Sequence, residues 1–398
     1  MRNETQLFFE CHEWLMLGFA LLNPTNTTKK SIINLMKQLL TGNEAAAEAA
    51  LQAGCRYYYG YPITPQNELI NYMSVKMPQL GGTFIQAESE IAAISMVHGS
   101  AAAGARTMTS SSSPGISLKQ EGISYLAGSE LPCVIVNIQR GGPGLGDISA
   151  SQADYFQAVK GGGHGDYHCI VLAPASVQEM ADLVYDAFDL ADQYRNPVMI
   201  LGDAQIGQLM EPVEFPKKQK KHLPAKNWAL TGADGRERRI VKSFYPVKGE
   251  LEVFNAHLQE KYRLAESREV RYEALNIHDA DVILVAYGTS ARICKEVVRK
   301  SSNFSFKVGL IRPITLWPFP KEFIRSVSET VPCILAVEMS AGQMVEDVRL
   351  AVEGRCPVHF YGRTGGGVPT SLEVIKKIVE IVPDNREANA LLQLAEVK

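Results

Sequence analysis

The chain has 398 residues, 46% of them hydrophobic, with 40 Lys and Arg against 43 Asp and Glu and a formal net charge of −3. That is chain enough for two or three domains, and so small a charge, without a dominant basic patch, argues against nucleic acid or an anionic membrane as a partner. The longest strongly apolar run, Trp14 to Leu22, is about half of the roughly 20 residues that a membrane-spanning helix needs.

Residues 1–35 differ in character from the rest of the chain and read as a doubtful N-terminal extension. They lack the basic opening and small-residue cleavage site of a secretory signal. Met36 then opens MKQLLTGNEAAAEAALQAG, where Thr41 or Asn43 is placed to cap an Ala-rich helix ending at Gly54. Across residues 36–215 short apolar runs (CRYYYGYPI, GTFIQAE, RTMTSSSS, PCVIVNIQR, HCIVLAP, PVMILGD) alternate with helical patterns such as SVQEMADLVYDAFDLADQY. This alternation predicts an α/β domain with a mostly parallel sheet. Residues 216–276 read as a linker: a basic cluster at Lys217, Lys218, Lys220 and Lys221, then one long charged helix. A second α/β domain, 277–398, opens with a strand, turn and helix at DVILVAYGTSARICKEVVRK and continues through KVGLIRPITLWPFP and PCILAVEMSAGQMVEDVRLAV.

The seven cysteines (Cys11, Cys55, Cys133, Cys169, Cys294, Cys333 and Cys356) contain no C-x-x-C pair. A zinc ribbon or iron–sulfur cassette is unsupported. Those in strand patterns read as core thiols of a protein in a reducing cytoplasm.

Ligands of open α/β sheets bind beyond the carboxyl ends of the strands, so four loops carry the candidate chemistry. In GYPITPQNE, Pro62 and Pro65 stiffen the backbone around Thr64, which is either part of a turn and cap or an offered hydroxyl. In IQAESEIAAISMVHGSAAAGAR, Glu88 and Glu90 precede a helix that is nearly uncharged. Glu90 is therefore either a helix-dipole complement or a buried proton-transfer carboxyl. TSSSSPGISLKQEG is a hydroxyl-rich loop ahead of a helix N-terminus. In NIQRGGPGLGD, Arg140 leaves a strand into a glycine-rich loop and offers a fork for a carboxylate. GGGHGDYH, with His164, Asp166 and His168, reads as a turn between helix and strand, and no metal site is assigned.

As a set, GYPITPQNE, FIQAESEIAAISMVHGSAAAGARTMTSSSSPG, VIVNIQRGGPGLGD, SVQEM…AFDLADQYRNPVMILGD and LIRPITLWPFP resemble the α subunit of the 2-oxoacid:ferredoxin oxidoreductases, from about Met36 to Val382. The resemblance implies a thiamine diphosphate pyrimidine-type domain followed by a transketolase C-terminal-like domain. It implies a reaction in which a 2-oxoacid is decarboxylated, its electrons pass through iron–sulfur clusters to ferredoxin, and the acyl group goes to coenzyme A. Glu90 then stands where the family's glutamate meets N1′ of the aminopyrimidine and supports the tautomer that generates the ylid. Thr64 and Arg140 match the substrate-side hydroxyl and guanidinium. Glu88, Pro62 and Ile63 fall on the cofactor side.

Gly-Asp-Gly, the usual start of the diphosphate–magnesium site, does not occur. The resemblance thus implies half a cofactor site, completed by a β subunit that carries the diphosphate and Mg2+, with iron–sulfur clusters on γ and ferredoxin-like subunits. There is no Lys or Arg between Gly141 and Val159, where a 2-oxoglutarate site would want a second cation, and GGPGLGDISASQADYFQAVKGGGHGDY looks most like the 2-oxoisovalerate branch. The alternatives are a 2-oxoglutarate or pyruvate:ferredoxin oxidoreductase α subunit, a non-catalytic assembly subunit, and an autonomous transketolase-like enzyme.

Overall fold

The computed structural model describes residues 37–215 and 222–382. The expected extension of residues 1–35 and the basic cluster from Lys217 to Lys221 lie outside them. After β1 (Gln38–Thr41), Thr41 caps α1 (Gly42–Gln52). Its Oγ1 accepts from Glu44 N at 3.2 Å while the Glu44 carboxylate accepts from Thr41 N at 2.9 Å, a reciprocal pair that satisfies two otherwise free amides.

Strands and helices then alternate: β2 (Tyr57–Gly60), α2 (Asn67–Gln79), β3 (Thr83–Gln86), α3 (Glu90–Ala102), β4 (Thr107–Ser111), α4 (Ser113–Gly128) and β5 (Cys133–Gly141). There follow β6 (Asp147–Ala150), α5 (Tyr155–Val159), β7 (Ile170–Leu172), α6 (Val177–Tyr194), β8 (Pro197–Asp203), α7 (Ala204–Gln208) and β9 (Met210–Val213). Strands β7, β8, β5, β4, β2 and β3 form a parallel sheet in that order, with β6 antiparallel on the end of β5. Every residue of β5 and β8 is buried, which is why both read as continuous apolar runs rather than alternating ones. Helix α6 buries Val177, Met180, Ala181, Val184, Ala187, Phe188 and Ala191, the three-and-four spacing of one helix face.

The second half contains α8 (Glu250–Arg268), β10 (Tyr272–Leu275), β11 (Val282–Val285), α9 (Gly288–Lys300), β12 (Val308–Pro313), β13 (Thr315–Trp317), α10 (Lys321–Ser328), β14 (Ile334–Glu338), α11 (Met344–Val352), β15 (Val358–Gly362) and α12 (Ser371–Ile381). Its sheet runs β10-β12-β11-β14-β15, parallel except for β10. Leu284, Leu310 and Leu335 are fully buried at its centre against Val297, Val374 and Ile378, each leucine contributing about 1.5–3 kcal/mol. The chain is thus mixed α/β with parallel sheets, as the alternation implies. No helix among the described residues is long and apolar enough to cross a membrane.

Two elements depart from the sequence reading. Strand β10 lies inside the segment read as linker and completes the second sheet antiparallel to β12; Glu273 on it takes Arg312 Nε at 2.9 Å. Strand β13, encoded in the second half, joins the first sheet antiparallel to β7, with Thr315 opposite Leu172 and Trp317 opposite Val171. Pro313 and Pro318 bound this segment and stop it from extending, and it covers an edge that would otherwise leave β7 unpaired. Trp317 stacks on His168 at 4.6 Å, so the GGGHGDYH turn ends packed against the second half of the chain.

The seam between the two sheets is polar but paired. Asp203 accepts from Thr289 Oγ1 at 2.8 Å and from Ile206 N at 3.1 Å. Gln152 donates to Tyr287 O at 2.8 Å and accepts from Ser290 Oγ and Met339 N. Arg312, 2% exposed, holds Glu179 through both terminal nitrogens at 2.6 and 2.8 Å.

Candidate active site

The ends of four neighbouring parallel strands, β5, β4, β2 and β3, present the candidate loops side by side. After β2, the Tyr61–Gln66 turn carries a cis Thr64–Pro65 peptide. It is pinned by the buried Asn43, whose Nδ2 donates to Pro65 O at 2.8 Å and to Glu68 Oε2 at 2.7 Å. From inside it is held by Gln66, which accepts from Ser110 Oγ at 2.6 Å. Ser110 Oγ in turn meets Tyr58 Oη at 2.6 Å. Thr64 and Ile63 are half-buried and Pro62 is exposed.

Ser89, after β3, caps α3 by accepting from Ala92 N at 3.2 Å, which makes Glu90 the first helical residue. Glu90 is buried and Glu88 exposed, so the sequence-predicted pair is split between interior and surface. Among the described residues the Glu90 carboxylate has no hydrogen-bond donor. Gly115 of α4 lies against it: a Cβ there would sit 2.6 Å from Glu90 Oε1 and 2.1 Å from Ser111 Oγ. Ser111, the last residue of β4, and Ser112, which precedes α4, have buried hydroxyl oxygens without a partner. An unpaired hydroxyl in the interior costs about 1–3 kcal/mol, so Ser111 and Ser112 are free to meet a polar group.

Arg140, 6% exposed, closes the row. Its Nη1 donates to Thr64 O and its Nη2 to Leu145 O, both at 2.9 Å, while Nε is buried without a partner. The structure brings Arg140 onto the Thr64 main chain, and the guanidinium fork is engaged by main-chain carbonyls. A two-pronged grip on a carboxylate requires those bonds to open. Behind Arg140, Ser113 Oγ donates to Asp154 Oδ2 at 2.6 Å and accepts from Arg140 N at 2.9 Å, and Asn137 Nδ2 donates to the same carboxylate at 2.9 Å. Burial pushes the Asp154 carboxyl up from its ordinary range, against the two hydrogen bonds that lower it.

Sequence reasoning missed Lys119. It is fully buried, donating to Thr109 Oγ1 at 2.5 Å and Ser110 O at 3.2 Å. Burial draws its amine down to about 7, partly countered by the Glu90 carboxylate. The available signal was a lone charge in the stretch Thr109–Gly115–Gln120, one helical turn after a glycine. The six cysteines within the described residues are free and buried.

The chain is a mixed α/β protein with parallel sheets and a transketolase-like fold. Residues 48–274 match the family described as pyruvate flavodoxin/ferredoxin oxidoreductase, thiamine diphosphate-binding, and residues 280–374 match pyruvate:ferredoxin oxidoreductase core domain II. The chain is 52% identical over 350 residues to the ketoisovalerate oxidoreductase subunit VorB of Methanothermobacter marburgensis, covering 88% of this chain and 99% of that one. It is 35% identical over 367 residues to the 2-oxoglutarate synthase subunit KorA of the same organism, covering 85% and 98%. Among solved structures it is similar to the 2-oxoglutarate:ferredoxin oxidoreductase from Magnetococcus marinus, with a TM-score of 0.79 at 25% identity, over 86% of this chain and 65% of that chain. The chain belongs to the thiamine diphosphate-binding 2-oxoacid:ferredoxin oxidoreductase family, whose members are subunits of multi-subunit oxidoreductases.

Proposed function

We propose that this chain is the α subunit of an oxidoreductase that converts a branched-chain 2-oxoacid, 2-oxoisovalerate, and coenzyme A to acyl-CoA and CO2 while reducing ferredoxin. The observation that carries the substrate is the gap between 52% identity to a ketoisovalerate oxidoreductase subunit and 35% to a 2-oxoglutarate synthase subunit. The loop after Arg140 supports it. Leu145 and Ile148 stand 81% and 61% exposed there, and no Lys or Arg occurs between Gly141 and Val159, so this loop offers apolar surface and no cation for a distal carboxylate.

Bound beside Glu90, thiamine diphosphate supplies a carbon nucleophile and an electron sink. Glu90, buried and without a donor, fits a nitrogen of the aminopyrimidine and would hold a proton there. Ser111 and Ser112 would offer their unpaired hydroxyls to polar groups of the cofactor, and Pro62, Ile63 and Glu88 would flank it. Thr64 would present its hydroxyl to the 2-oxo group, with Arg140 holding the Thr64 backbone in place and turning its free Nε toward the substrate carboxylate. The diphosphate, Mg2+ and iron–sulfur clusters belong in this reading to β, γ and ferredoxin-like subunits. The outer face of the α3/α4 pair suits such a partner: Ile91, Leu118 and Tyr125 are exposed there on a surface whose other exposed residues include Ser95, Gly99 and Ser117. Buried free thiols suit a cytoplasmic setting.

Viologen reduction by the assembled complex with 2-oxoisovalerate, 2-oxoglutarate and pyruvate tests the substrate. A preference for 2-oxoglutarate would overturn it. Glu90→Gln is expected to lower turnover by at least ~100-fold, and near-normal turnover would show that the chain has only an assembly role.

A further inference from the structure

The main chain around Thr64 is held on both sides. Arg140 Nη1 donates to Thr64 O at 2.9 Å, and Asn43 Nδ2 donates to the next carbonyl, Pro65 O, at 2.8 Å. Gln66 N donates to Ile63 O at 3.2 Å and Gln66 Nε2 to Tyr61 O at 3.3 Å. Gln66 is fixed in turn, because its Oε1 accepts from Ser110 Oγ, which meets Tyr58 Oη, both at 2.6 Å. Thr64 itself is half-buried, so part of it still meets what lies outside the fold.

Among the described residues the Thr64 hydroxyl has one hydrogen-bond partner, Asn67, whose Nδ2 donates to Thr64 Oγ1 at 3.4 Å. Asn67 is the first residue of α2. Asparagine is a common helix cap, but the cap position here belongs to Gln66, and no side chain makes a capping bond there. The Asn67 amide turns back three residues to Thr64 instead. The other end of the same side chain, Oδ1, is buried without a partner. A buried carbonyl left unpaired is a cost that an apolar residue would not incur, so stability alone does not explain an asparagine at this position.

The direction of the bond to Thr64 decides what the hydroxyl can do. A hydroxyl has one proton to give and two lone pairs with which to accept. While Oγ1 accepts from the Asn67 amide, its proton is unused within the turn and is left for a ligand. An acceptor at residue 67 would draw that proton inward.

We propose that Asn67 is a positioning residue for Thr64: by donating to Oγ1 it keeps the threonine hydroxyl a donor toward the 2-oxo oxygen of the substrate. The assignment rests on the reading that Thr64 meets the 2-oxo group, and it adds what sets the direction of that hydrogen bond. A donor held there is worth most as the oxygen gains charge during the reaction, so the effect belongs in kcat more than in KM.

The test is a double-mutant cycle, read as kcat for viologen reduction by the assembled complex with the 2-oxoacid that it turns over fastest. Asn67→Asp keeps the size of the side chain but leaves only acceptors, and is expected to lower kcat by roughly 30-fold, against ~100-fold for Thr64→Val. Asn67→Ala lets the hydroxyl turn freely and should lose about 5-fold; a merely structural asparagine would instead make the isosteric Asn67→Asp the milder change. In the Thr64→Val background there is no hydroxyl to direct, and Asn67→Asp should cost less than ~3-fold more. A carboxylate that only repelled the substrate would cost the same in both backgrounds. Equal losses in the two backgrounds, wild-type kcat in Asn67→Asp, or a larger loss in Asn67→Ala than in Asn67→Asp overturns the assignment and leaves Asn67 a packing residue of the turn. If Asn67→Asp does not assemble, Asn67→Ala completes the cycle, and a loss that persists in the Thr64→Val background overturns the assignment equally. Wild-type turnover in Thr64→Val is a different failure, which removes Thr64 from the substrate and the role of Asn67 with it.

Discussion

Replacing Gly115 with alanine would put a methyl carbon 2.6 Å from Glu90 Oε1 and 2.1 Å from Ser111 Oγ. Ordinary contact begins near 3.4 Å, so the carboxylate must retreat by about 0.8 Å or the helices must part. Two stability effects oppose each other: overpacking costs about 1–3 kcal/mol, and alanine recovers up to about 1 kcal/mol of helix propensity. The net loss is expected to be about 1 kcal/mol. Catalysis has no such compensation, since a misplacement of about 1 Å costs roughly 100-fold in rate, close to 3 kcal/mol of barrier. Gly115→Ala should therefore assemble and melt nearly normally but lose about 100-fold in 2-oxoacid-dependent viologen reduction. Gly122→Ala is the matched control, because its methyl would strike Ile94 Cγ2 at 2.5 Å, in the same helix contact but away from the carboxylate. It should lower the melting temperature with a much smaller effect on turnover. Wild-type turnover in Gly115→Ala, or equal losses in both variants, would refute the placement of Glu90 at the reacting centre.

Lys119 should also leave a signature in stability. Its amine titrates near 7 in the fold, against an ordinary value of 10.5, so between these values the unfolded chain binds the proton and the native chain does not. Stability then rises with pH through this window, by a ceiling of roughly 5 kcal/mol. The benefit is complete above pH 10.5 and is lost as pH falls through 7. Denaturant melts of wild type and Lys119→Met across pH 7–10 should show the variant's relative advantage shrinking as pH rises, and a constant difference would count against a buried amine. Asn43→Ala removes two bonds to the turn that carries Thr64, and should cost about 1–3 kcal/mol in denaturant melts and raise the substrate KM more than it lowers kcat. Arg312→Leu leaves Glu179 and Glu273 without their shared partner and should destabilise the chain by about 3 kcal/mol; an unchanged calorimetric melt would contradict a polar seam held by this arginine.

The elements governed by spacing within one segment were legible in the sequence. The continuous apolar runs of β5 and β8 and the helical period of α6 follow from local pattern, which also narrows the cap to Thr41 or Asn43, of which Thr41 serves. The burial of Glu90 is one of the two readings that the uncharged helix behind it leaves open, whereas the exposure of Glu88 is not read from the sequence. What could not be read was which edges and faces meet. Thr315 to Trp317 has strand character, but nothing in three residues says that it pairs with β7 rather than with its sequence neighbours. The free fork expected of Arg140 is engaged by Thr64 O and Leu145 O, and carbonyl positions leave no trace in residue types. Lys119 was hidden for the opposite reason: a lysine in a helix ordinarily reads as solvated, and only the glycine one turn earlier marks the helix face as closed.

The route of β13 also bears on how the protein is made. Synthesis delivers β7 to the ribosome's exit long before the strand that covers it, because β11, α9 and β12 must emerge first. Until Trp317 arrives, the nascent first sheet presents β7 as an open edge, a template for pairing with other chains. Separate expression of residues 36–276 would make that passing state permanent.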